Sequence, residues 1–226
     1  MYRVNHIFYS LQGEGRNTGR AAVFIRFAGC NLRCGFCDTE FDEYREMSSE
    51  EILDVVKALV PSNQTPLPWR GAEGRFLIVL TGGEPTLQVD EAFVELLHGH
   101  GYEVAMESNG TRPAPRNLDW LCVSPKMGQG AWGEEQENRR MPDEIKLVFD
   151  EHTDPEAVLL RLAPSCVSSV ASALRPSGSL PLLYLQPCDT GDERRNKAIT
   201  QQCVDYIKAH PQWRLSLQTH KLIGIE

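Results

Sequence analysis

The chain has 226 residues, and 23 Lys and Arg against 31 Asp and Glu give it a formal net charge of −8. Such an acidic chain is a poor partner for nucleic acids or anionic membranes, and no apolar run approaches the ~20 residues of a membrane span. A hydrophobic content of 41% excludes a disordered chain and predicts one globular domain over residues 1–226.

The cysteines and the N-terminus predict the cellular compartment. Of seven cysteines, three are clustered and four are scattered, at Cys122, Cys166, Cys188 and Cys203. An odd, scattered set is not a disulfide framework and fits a reducing environment. The first residues, Met1 to His6, lack the apolar core of a signal peptide, so we expect a cytoplasmic protein.

The first predicted strand leads into a loop of cysteines. Residues 23–27 are β-rich, and Cys30, Cys34 and Cys37 follow with C-x3-C-x2-C spacing in a loop over 28–39. Three thiolates can hold three irons of a [4Fe–4S] cluster and leave the fourth iron open, whereas clusters used only for electron transfer usually have four cysteines. The alternative is a zinc site with its fourth ligand elsewhere, because structural zinc takes four N or S ligands.

Downstream, predicted helices and strands alternate. A capping box at 48–51 precedes a helix, and the apolar run 76–80 indicates a strand buried on both faces. Further strands are predicted over 102–106, 120–123, 145–149, 182–185 and 214–217, and further helices over 90–98, 155–162 and 193–210. Residues 61–74, 126–142 and 164–180 are predicted to be loops. This alternation predicts an α/β fold with a mostly parallel sheet and right-handed crossovers.

Polar residues follow five of the predicted strands. These segments are Thr81–Pro85, Glu107–Gly110, Ser124–Lys126, Gln186–Pro187 and Gln218–Lys221. The carboxyl ends of strands form the ligand-binding edge in barrels and open α/β sheets. We therefore expect these five segments to share one binding edge.

The cysteine triplet and Gly82-Gly83-Glu84-Pro85 resemble the two motifs of the radical S-adenosylmethionine (SAM) superfamily. Three more segments are similar to the 7-carboxy-7-deazaguanine synthases of queuosine (7-deazapurine) biosynthesis: Phe8–Gly15, Ser124–Lys126 and Trp213–Lys221. The resemblance runs from about Ile7 to Glu226. It implies an abbreviated, partly open (β/α) barrel with reduced helix content, whose short N- and C-terminal segments close the substrate pocket.

This resemblance also implies a reaction and its partners. The enzyme would be a carbon–nitrogen lyase that contracts the ring of 6-carboxy-5,6,7,8-tetrahydropterin to 7-carboxy-7-deazaguanine and releases ammonia. Its cofactors would be a [4Fe–4S] cluster, SAM and Mg²⁺. The radical derived from SAM would remove the substrate hydrogen, so no side chain is expected to be catalytic. A flavodoxin or ferredoxin would donate the electron, and the chain would form a homodimer.

The resemblance assigns residues to each ligand. The predicted substrate set is Leu11, Gln12, Gly13, Glu14, Arg26, Thr81, His220 and Glu226. The predicted SAM set is Phe36, Cys37, Asp38, Gly83, Glu107, Ser124, Pro125, Lys126, Gln186, Pro187, Cys188 and Asp189. Cys30, Cys34 and Cys37 would bind the cluster and Thr39 the Mg²⁺. Arg26 suits a substrate carboxylate because a guanidinium binds it through two hydrogen bonds; a surface or interface ion pair is the alternative.

Two departures and two alternatives accompany the resemblance. Some relatives carry an insert between the first two cysteines, and relatives often end in Pro where this chain has Glu226. A glycyl-radical activase is the nearest alternative, although the isolated cysteines weigh against the second cluster that such enzymes often carry. A zinc-stabilised binding module is the other, and it leaves the Gly-Gly-Glu-Pro segment and the polar strand ends unexplained.

Overall fold

The computed structural model describes the chain except for residues 38, 39, 41, 62–74, 127–139 and 163–179. Its strands are β1 (Tyr2–Leu11), β2 (Ala21–Phe27), β3 (Arg45–Met47), β4 (Phe76–Gly82), β5 (Tyr102–Ser108), β6 (Trp120–Val123), β7 (Glu144–Phe149), β8 (Leu182–Pro187) and β9 (Trp213–Leu215). Its helices are α1 (Ser49–Leu59), α2 (Glu91–Gly99), α3 (Pro155–Leu162), α4 (Glu193–Ala209) and α5 (Thr219–Ile223). Short 3-10 turns cover Gly15–Asn17 and Pro85–Leu87.

The nine described strands form one sheet in the order β3-β1-β2-β4-β5-β6-β7-β8-β9. From β2 to β9 every neighbouring pair is parallel, whereas β1 pairs antiparallel with both β2 and β3. The end strands β3 and β9 are not neighbours in that order, so the sheet stays open. With its few helices, this architecture confirms the predicted abbreviated, partly open (β/α) barrel.

The two faces of the sheet have different partners. Val23 and Ile25 of β2 belong to a large core that also contains Ile52 of α1 and Phe93 of α2. A second core places Val158 of α3 and Ile199 of α4 against β7–β9. Because strand side chains alternate between faces, Phe24 points the other way, into a smaller apolar cluster with Phe8 and Val79. The helices therefore cover one face and leave the opposite face to form a pocket.

Local signals explain why the predicted helices form. Ser48 Oγ accepts a hydrogen bond from the Glu51 N–H, and the Glu51 side chain accepts one from the Ser48 N–H, which completes the predicted capping box. Asp90 and Asp192 are the N-caps of α2 and α4. A side-chain oxygen of each accepts a hydrogen bond from a main-chain N–H, that of Phe93 and that of Arg195 respectively. In the described part of the chain, every helix is too short or too polar to pass through a bilayer.

The structure also differs from the sequence-based expectations. The strand predicted over 214–217 covers only Trp213–Leu215, because Ser216 turns away to bond Gln186 and the chain then enters α5. Three elements were not predicted: β1, β3 and α5. The predicted loops at 61–74, 126–142 and 164–180 lie almost wholly outside the described residues.

Candidate active site

A cavity of about 610 Å³ lies at the carboxyl ends of the parallel strands, and all five predicted polar segments contribute to it. Every described member of the predicted substrate, SAM and cluster sets lines this cavity except Pro125, which lies between the lining residues Ser124 and Lys126. Asp38 and Thr39 lie outside the described residues. The cavity thus collects side chains from both ends of the chain and from its middle.

Cys30, Cys34 and Cys37 lie together along one part of the cavity wall. Burial raises the pKa of the Cys34 thiol; Lys126 opposes this shift, and the charges of Cys37 and Cys30 add to it. The three sulfurs are therefore close enough to repel one another as thiolates. Bound iron would relieve that repulsion.

Among the described residues, no three His, Cys, Asp or Glu side chains meet where one metal ion could bind. The three cysteines of the loop suit a cluster with one open iron, because a [4Fe–4S] cluster binds each thiolate on a different iron. Structural zinc takes four N or S ligands, so a zinc ion would need a further ligand from outside the loop.

The Gly-Gly-Glu-Pro segment packs against the entrance of the cysteine loop. The N–H of Gly83 donates to the Phe27 carbonyl at 2.9 Å, and the N–H of Glu84 donates to the Gly29 carbonyl at 2.9 Å. A Cβ on Gly83 would lie 2.0 Å from the Gly29 oxygen, so only glycine fits here. An amino group donates hydrogen bonds, so a backbone contact from this segment to such a group would use carbonyl oxygens.

Glu84 fixes β4 to β5 from inside the protein. Its side chain is fully buried, and Oε1 accepts hydrogen bonds from Thr86 and from Ser108 Oγ at 2.8 Å. Its Oε2 accepts one from the Asn109 N–H at 2.7 Å. A buried carboxylate with four donors is well satisfied, so this glutamate holds the ends of two strands together.

Two lysines carry positive charge into the cavity. Lys126 Nζ donates to Ser124 Oγ at 2.7 Å and lies 5.6 Å from the centre of the Phe36 ring. Burial lowers the pKa of Lys126, and the neighbouring charge of Lys146 lowers it further. An anionic ligand group next to Lys126 would relieve both effects, and a carboxylate has that chemistry.

Lys146 on β7 is the centre of a buried ion-pair network. Its side chain is 5% exposed, and Nζ donates to Glu14 Oε2 at 2.5 Å and to Glu107 Oε2 at 2.9 Å. Burial alone would lower the pKa of Lys146, but the charges of Glu107 and Glu14, with the hydrogen bond to Glu14, raise it well above its ordinary value. The lysine is therefore charged, and it joins a predicted substrate residue to a predicted SAM residue.

Besides Lys146 of β7, two further elements hold Glu14. Its Oε1 accepts hydrogen bonds from Gln186 Nε2 at 3.1 Å and from Gln218 Nε2 at 3.0 Å. Burial raises the pKa of Glu14, but Lys146 outweighs burial and brings that pKa down to about 2. Glu14 is therefore an anion at neutral pH, with its orientation set by β7, β8 and the segment before α5.

Glu144 fixes the segment that follows Glu14. Its Oε2 accepts hydrogen bonds from the Arg16 N–H at 3.1 Å and from Trp120 Nε1 at 3.3 Å. Gly15 has a φ of +62°, and a Cβ there would lie 1.9 Å from Glu144 Oε1. Burial, with the nearby charge of Glu107, raises the pKa of Glu144 to about 7. This carboxyl group lies behind the cavity wall and positions the N-terminal segment.

The N- and C-terminal segments contact each other at one side of the cavity. The N–H and Oγ1 of Thr219 both donate to the Gly13 carbonyl, at 3.0 and 2.9 Å. A Cβ on Gly13 would lie 2.1 Å from His220 Nδ1, so a glycine is required for the segments to approach. Leu11 to Glu14 and His220 thereby share one side of the cavity.

Arg26 faces the last residue of the chain. Its guanidinium lies 4.7 Å from the centre of the Phe8 ring, and its Nη1 is 3.8 Å from Glu226 Oε1. Glu226 Oε1 is also 2.8 Å from His6 Nδ1. At 3.8 Å the Arg26–Glu226 pair is longer than a hydrogen bond, so a closer carboxylate can replace Glu226 at the guanidinium.

Sequence reasoning missed several lining residues. Lys146 is the most important, and its only sequence signal is a charged residue inside the otherwise apolar run 145–149. Sequence reasoning also assigned no role to four apolar residues on the pocket face of the sheet, Phe8, Phe24, Val79 and Val148, or to Leu32, Arg33 and Ile225. Five more lining residues belong to the predicted strand-end segments but were assigned no ligand: Gly82, Ser108, Asn109, Gln218 and Lys221. For Phe24 and Val79 the signal is strand geometry: side chains alternate along a strand, so these residues face away from their neighbours Ile25 and Ile78, which lie in the helix-covered core.

Known proteins of one family are similar to this chain over nearly its whole length. The Radical SAM superfamily model matches residues 24–125. A protein of Bradyrhizobium diazoefficiens named 7-carboxy-7-deazaguanine synthase is 39% identical over 99% of both chains. One with the same name from Bacteroides thetaiotaomicron is 40% identical over 100% of this chain and 99% of its own.

The fold has a counterpart among solved structures. The crystal structure of QueE from Escherichia coli superposes with a TM-score of 0.68 and covers 96% of this chain and 93% of its own. At 24% sequence identity this similarity supports the fold alone.

Proposed function

The chain belongs to the 7-carboxy-7-deazaguanine synthase family of the radical SAM superfamily, and we propose that it converts 6-carboxy-5,6,7,8-tetrahydropterin to 7-carboxy-7-deazaguanine with loss of ammonia. The observation that carries this proposal is the single cavity that joins the three-cysteine loop to Arg26 and Glu14. Family membership removes the glycyl-radical activase and the zinc-stabilised module as alternatives.

We assign the cluster and SAM to one side of the cavity and the substrate to the other. When bound, the cluster and SAM supply the radical that takes hydrogen from the substrate, and the protein orients the reactants and excludes water. Cys30, Cys34 and Cys37 hold the cluster. Lys126, with Ser124, binds the carboxylate of SAM, a role that the depressed pKa of this lysine supports.

The remaining SAM residues surround the same region. Carbonyl oxygens near Gly83 accept from the amino group of SAM, and Glu107 binds the ribose. The other proposed contacts are Phe36, Cys37, Asp38, Pro125, Gln186, Pro187, Cys188 and Asp189. Lys146 Nζ donates to Glu107 Oε2 at 2.9 Å and so orients this carboxylate.

The substrate side uses residues from both ends of the chain. Arg26 binds the pterin carboxylate, and the Glu14 carboxylate accepts hydrogen bonds from the pterin amino and amide groups. The pocket is completed by Leu11, Gln12, Gly13, Thr81, His220 and Glu226. The hydrogen bonds between Thr219 and Gly13 support this arrangement, because they hold the two terminal segments over one cavity.

An anaerobic assay tests the proposal directly. The reconstituted enzyme, SAM, a strong reductant and the tetrahydropterin are expected to yield 7-carboxy-7-deazaguanine and 5′-deoxyadenosine, both measured by liquid chromatography with mass spectrometry. Release of 5′-deoxyadenosine without the deazaguanine would show a radical SAM enzyme that acts on another substrate, and it would refute the proposal.

Replacing Arg26 with alanine is expected to raise the KM for the tetrahydropterin. Losing a charged hydrogen bond to a carboxylate costs about 1.5–3 kcal/mol, or roughly ten- to a hundredfold in affinity. The slow release of 5′-deoxyadenosine without substrate is expected to be largely spared, since the cysteine loop and Lys126 are unchanged. The measurement pairs substrate KM with this uncoupled release.

Arg26→Lys is the matched variant, because it keeps the charge and loses the two-pronged geometry. Its KM is expected to lie between those of the wild type and Arg26→Ala. An unchanged KM in Arg26→Ala would remove this residue from the substrate site.

Product formation is expected to increase with added Mg²⁺, and Thr39→Ala is expected to weaken that dependence. The reason is chemical: Mg²⁺ prefers oxygen ligands and keeps several waters, so one hydroxyl with substrate oxygens and water suffices. Titrating Mg²⁺ into chelator-treated enzyme measures the effect. Full activity without a divalent ion would contradict the proposed metal, whereas Mn²⁺ is expected to substitute because it shares the preference for oxygen.

Four further properties complete the proposal. We propose a single domain over residues 1–226, a cytoplasmic location, a homodimer and a flavodoxin or ferredoxin as electron donor. The scattered cysteines support a reducing compartment. Light scattering tests the dimer, and replacing the chemical reductant with reduced flavodoxin tests the donor.

A further inference from the structure

Asn109 links the cysteine loop to the end of β5. Its Nδ2 donates to Asn31 Oδ1 at 3.0 Å and lies 3.9 Å from Cys30 Sγ, within reach of a hydrogen bond to sulfur. The N–H of Leu32 is a second donor to the same sulfur, at 3.4 Å. Cys30 Sγ therefore faces two N–H groups, one from the main chain and one from a side chain.

The orientation of the Asn109 amide is fixed from the other side. Its Oδ1 accepts hydrogen bonds from the N–H and Oγ1 of Thr111, at 2.9 and 2.7 Å. Since the oxygen is turned toward these donors, the NH₂ group is turned toward Asn31 and Cys30. The main-chain N–H of Asn109 donates to the buried Glu84, and the residue is only 9% exposed. The amide is held rigidly before any cluster binds.

We propose that Asn109 is a positioning residue for the cluster, and that its amide N–H raises the reduction potential by donating a hydrogen bond to the Cys30 thiolate. The inference rests on the proposed function, which assigns the cluster to this loop. Reduction adds negative charge to a cluster and its thiolates, so donors to sulfur stabilise the reduced form. A higher potential makes the cluster easier to reduce by a biological donor.

The decisive variant is Asn109→Asp, which keeps the shape and the oxygen that faces Thr111. It replaces the donor near Cys30 with a carboxylate oxygen that repels the thiolate. We expect a more negative midpoint potential in a redox titration of the reconstituted cluster followed by electron paramagnetic resonance. Asn109→Ala removes the donor without adding charge, so it is expected to shift the potential in the same direction by less.

Asn117→Asp is the matched control, because Asn117 also donates its amide to a neighbour, the Glu91 carbonyl at 2.9 Å, but does not line the cavity. Its midpoint potential is expected to equal that of the wild type. A merely structural role for Asn109 would lower Tm and iron content and leave the potential of the remaining cluster unchanged.

The possible results distinguish a failure of the Asn109 proposal from a failure of the proposed function. An unchanged midpoint in Asn109→Asp overturns the proposal. If Asn109→Asp fails to hold a cluster, Asn109→Ala decides, and an unchanged midpoint there overturns it equally. A wild-type enzyme that takes up a cluster but makes no 7-carboxy-7-deazaguanine would refute the proposed function and leave the role of Asn109 intact. A wild-type enzyme that takes up no cluster would refute both.

Discussion

Cys34→Ala is expected to abolish release of 5′-deoxyadenosine from SAM and to lower the iron content of the reconstituted enzyme. With one of the three thiolates gone, the iron it held has no protein ligand. Cys30→Ala and Cys37→Ala are expected to have the same effect, because each cysteine serves a different iron. Iron and sulfide analysis measures the cluster, and chromatography measures the 5′-deoxyadenosine.

The scattered cysteines provide the controls for this experiment. Cys203 lies on the buried face of α4 and does not line the cavity, so Cys203→Ala is expected to keep both its iron and its SAM cleavage. Cys122→Ala tests for a fourth ligand. Burial raises the pKa of the Cys122 thiol well above its ordinary value, which makes it a poor thiolate ligand. Loss of the cluster in Cys122→Ala would contradict the open-iron arrangement.

Much of the fold and part of the site could be predicted because their signals are local. The β4 run is buried on both faces, so its sequence is continuously apolar, and the Ser48–Glu51 capping box is complete within four residues. Likewise, the carboxyl ends of parallel strands must meet at one edge. That geometry brought the polar strand ends into one cavity without any knowledge of long-range contacts.

The missed elements lack such local signals. β1 has an irregular burial pattern and a break in register between Val4 and His6, so period-2 alternation does not reveal it. β3 has three residues, and α5 has five with no buried side chain, so neither shows a clear period. Their positions depend on the pairing partners and on the hydrogen bonds of Thr219 to Gly13.

The roles of single residues depend even more on distant partners. The sequence showed Gly82-Gly83-Glu84-Pro85 only as a motif, whereas the structure shows that Gly82 and Gly83 allow the backbone of Phe27 and Gly29 to approach closely. Lys146 gave no functional signal, because its partners Glu14 and Glu107 lie 132 and 39 residues away along the chain. Ion pairs at such separations become visible only when the strand order is known.

Lys146→Met is expected to have the largest effect on stability of any single change in this cavity. It leaves the carboxylates of Glu14 and Glu107 without their shared cation, and removing one partner of a buried ion pair costs about 3–5 kcal/mol. Since most domains are stable by only about 5–15 kcal/mol, a large fall in Tm is expected. Thermal unfolding followed by circular dichroism measures it.

The pH dependence of stability is expected to show that the unpaired carboxylates cause the loss of stability in Lys146→Met. In the wild type, the pKa of Glu14 is lowered to about 2, so its stabilising contribution is complete above the ordinary carboxyl pKa and is lost only as the pH falls toward 2. In Lys146→Met, burial dominates and raises the pKa of Glu14 above that of the unfolded chain. The sign then reverses: the variant loses stability as the pH rises through the folded-state pKa. The wild type already loses some stability between pH 5 and pH 8, because the pKa of Glu144 is raised to about 7. The expected result is a larger loss in the variant than in the wild type over this range.

A double variant tests whether the unpaired Glu14 carboxylate causes the loss of stability. Adding Glu14→Gln to Lys146→Met removes one unpaired carboxylate and keeps an amide oxygen that can accept the hydrogen bonds from Gln186 and Gln218. It is expected to recover part of the lost Tm at pH 8 and little at pH 5. Single-variant stability equal to the wild type at both pH values would mean that water or a rearrangement replaces the lysine. In that case Lys146 would not hold Glu14 and Glu107 in place.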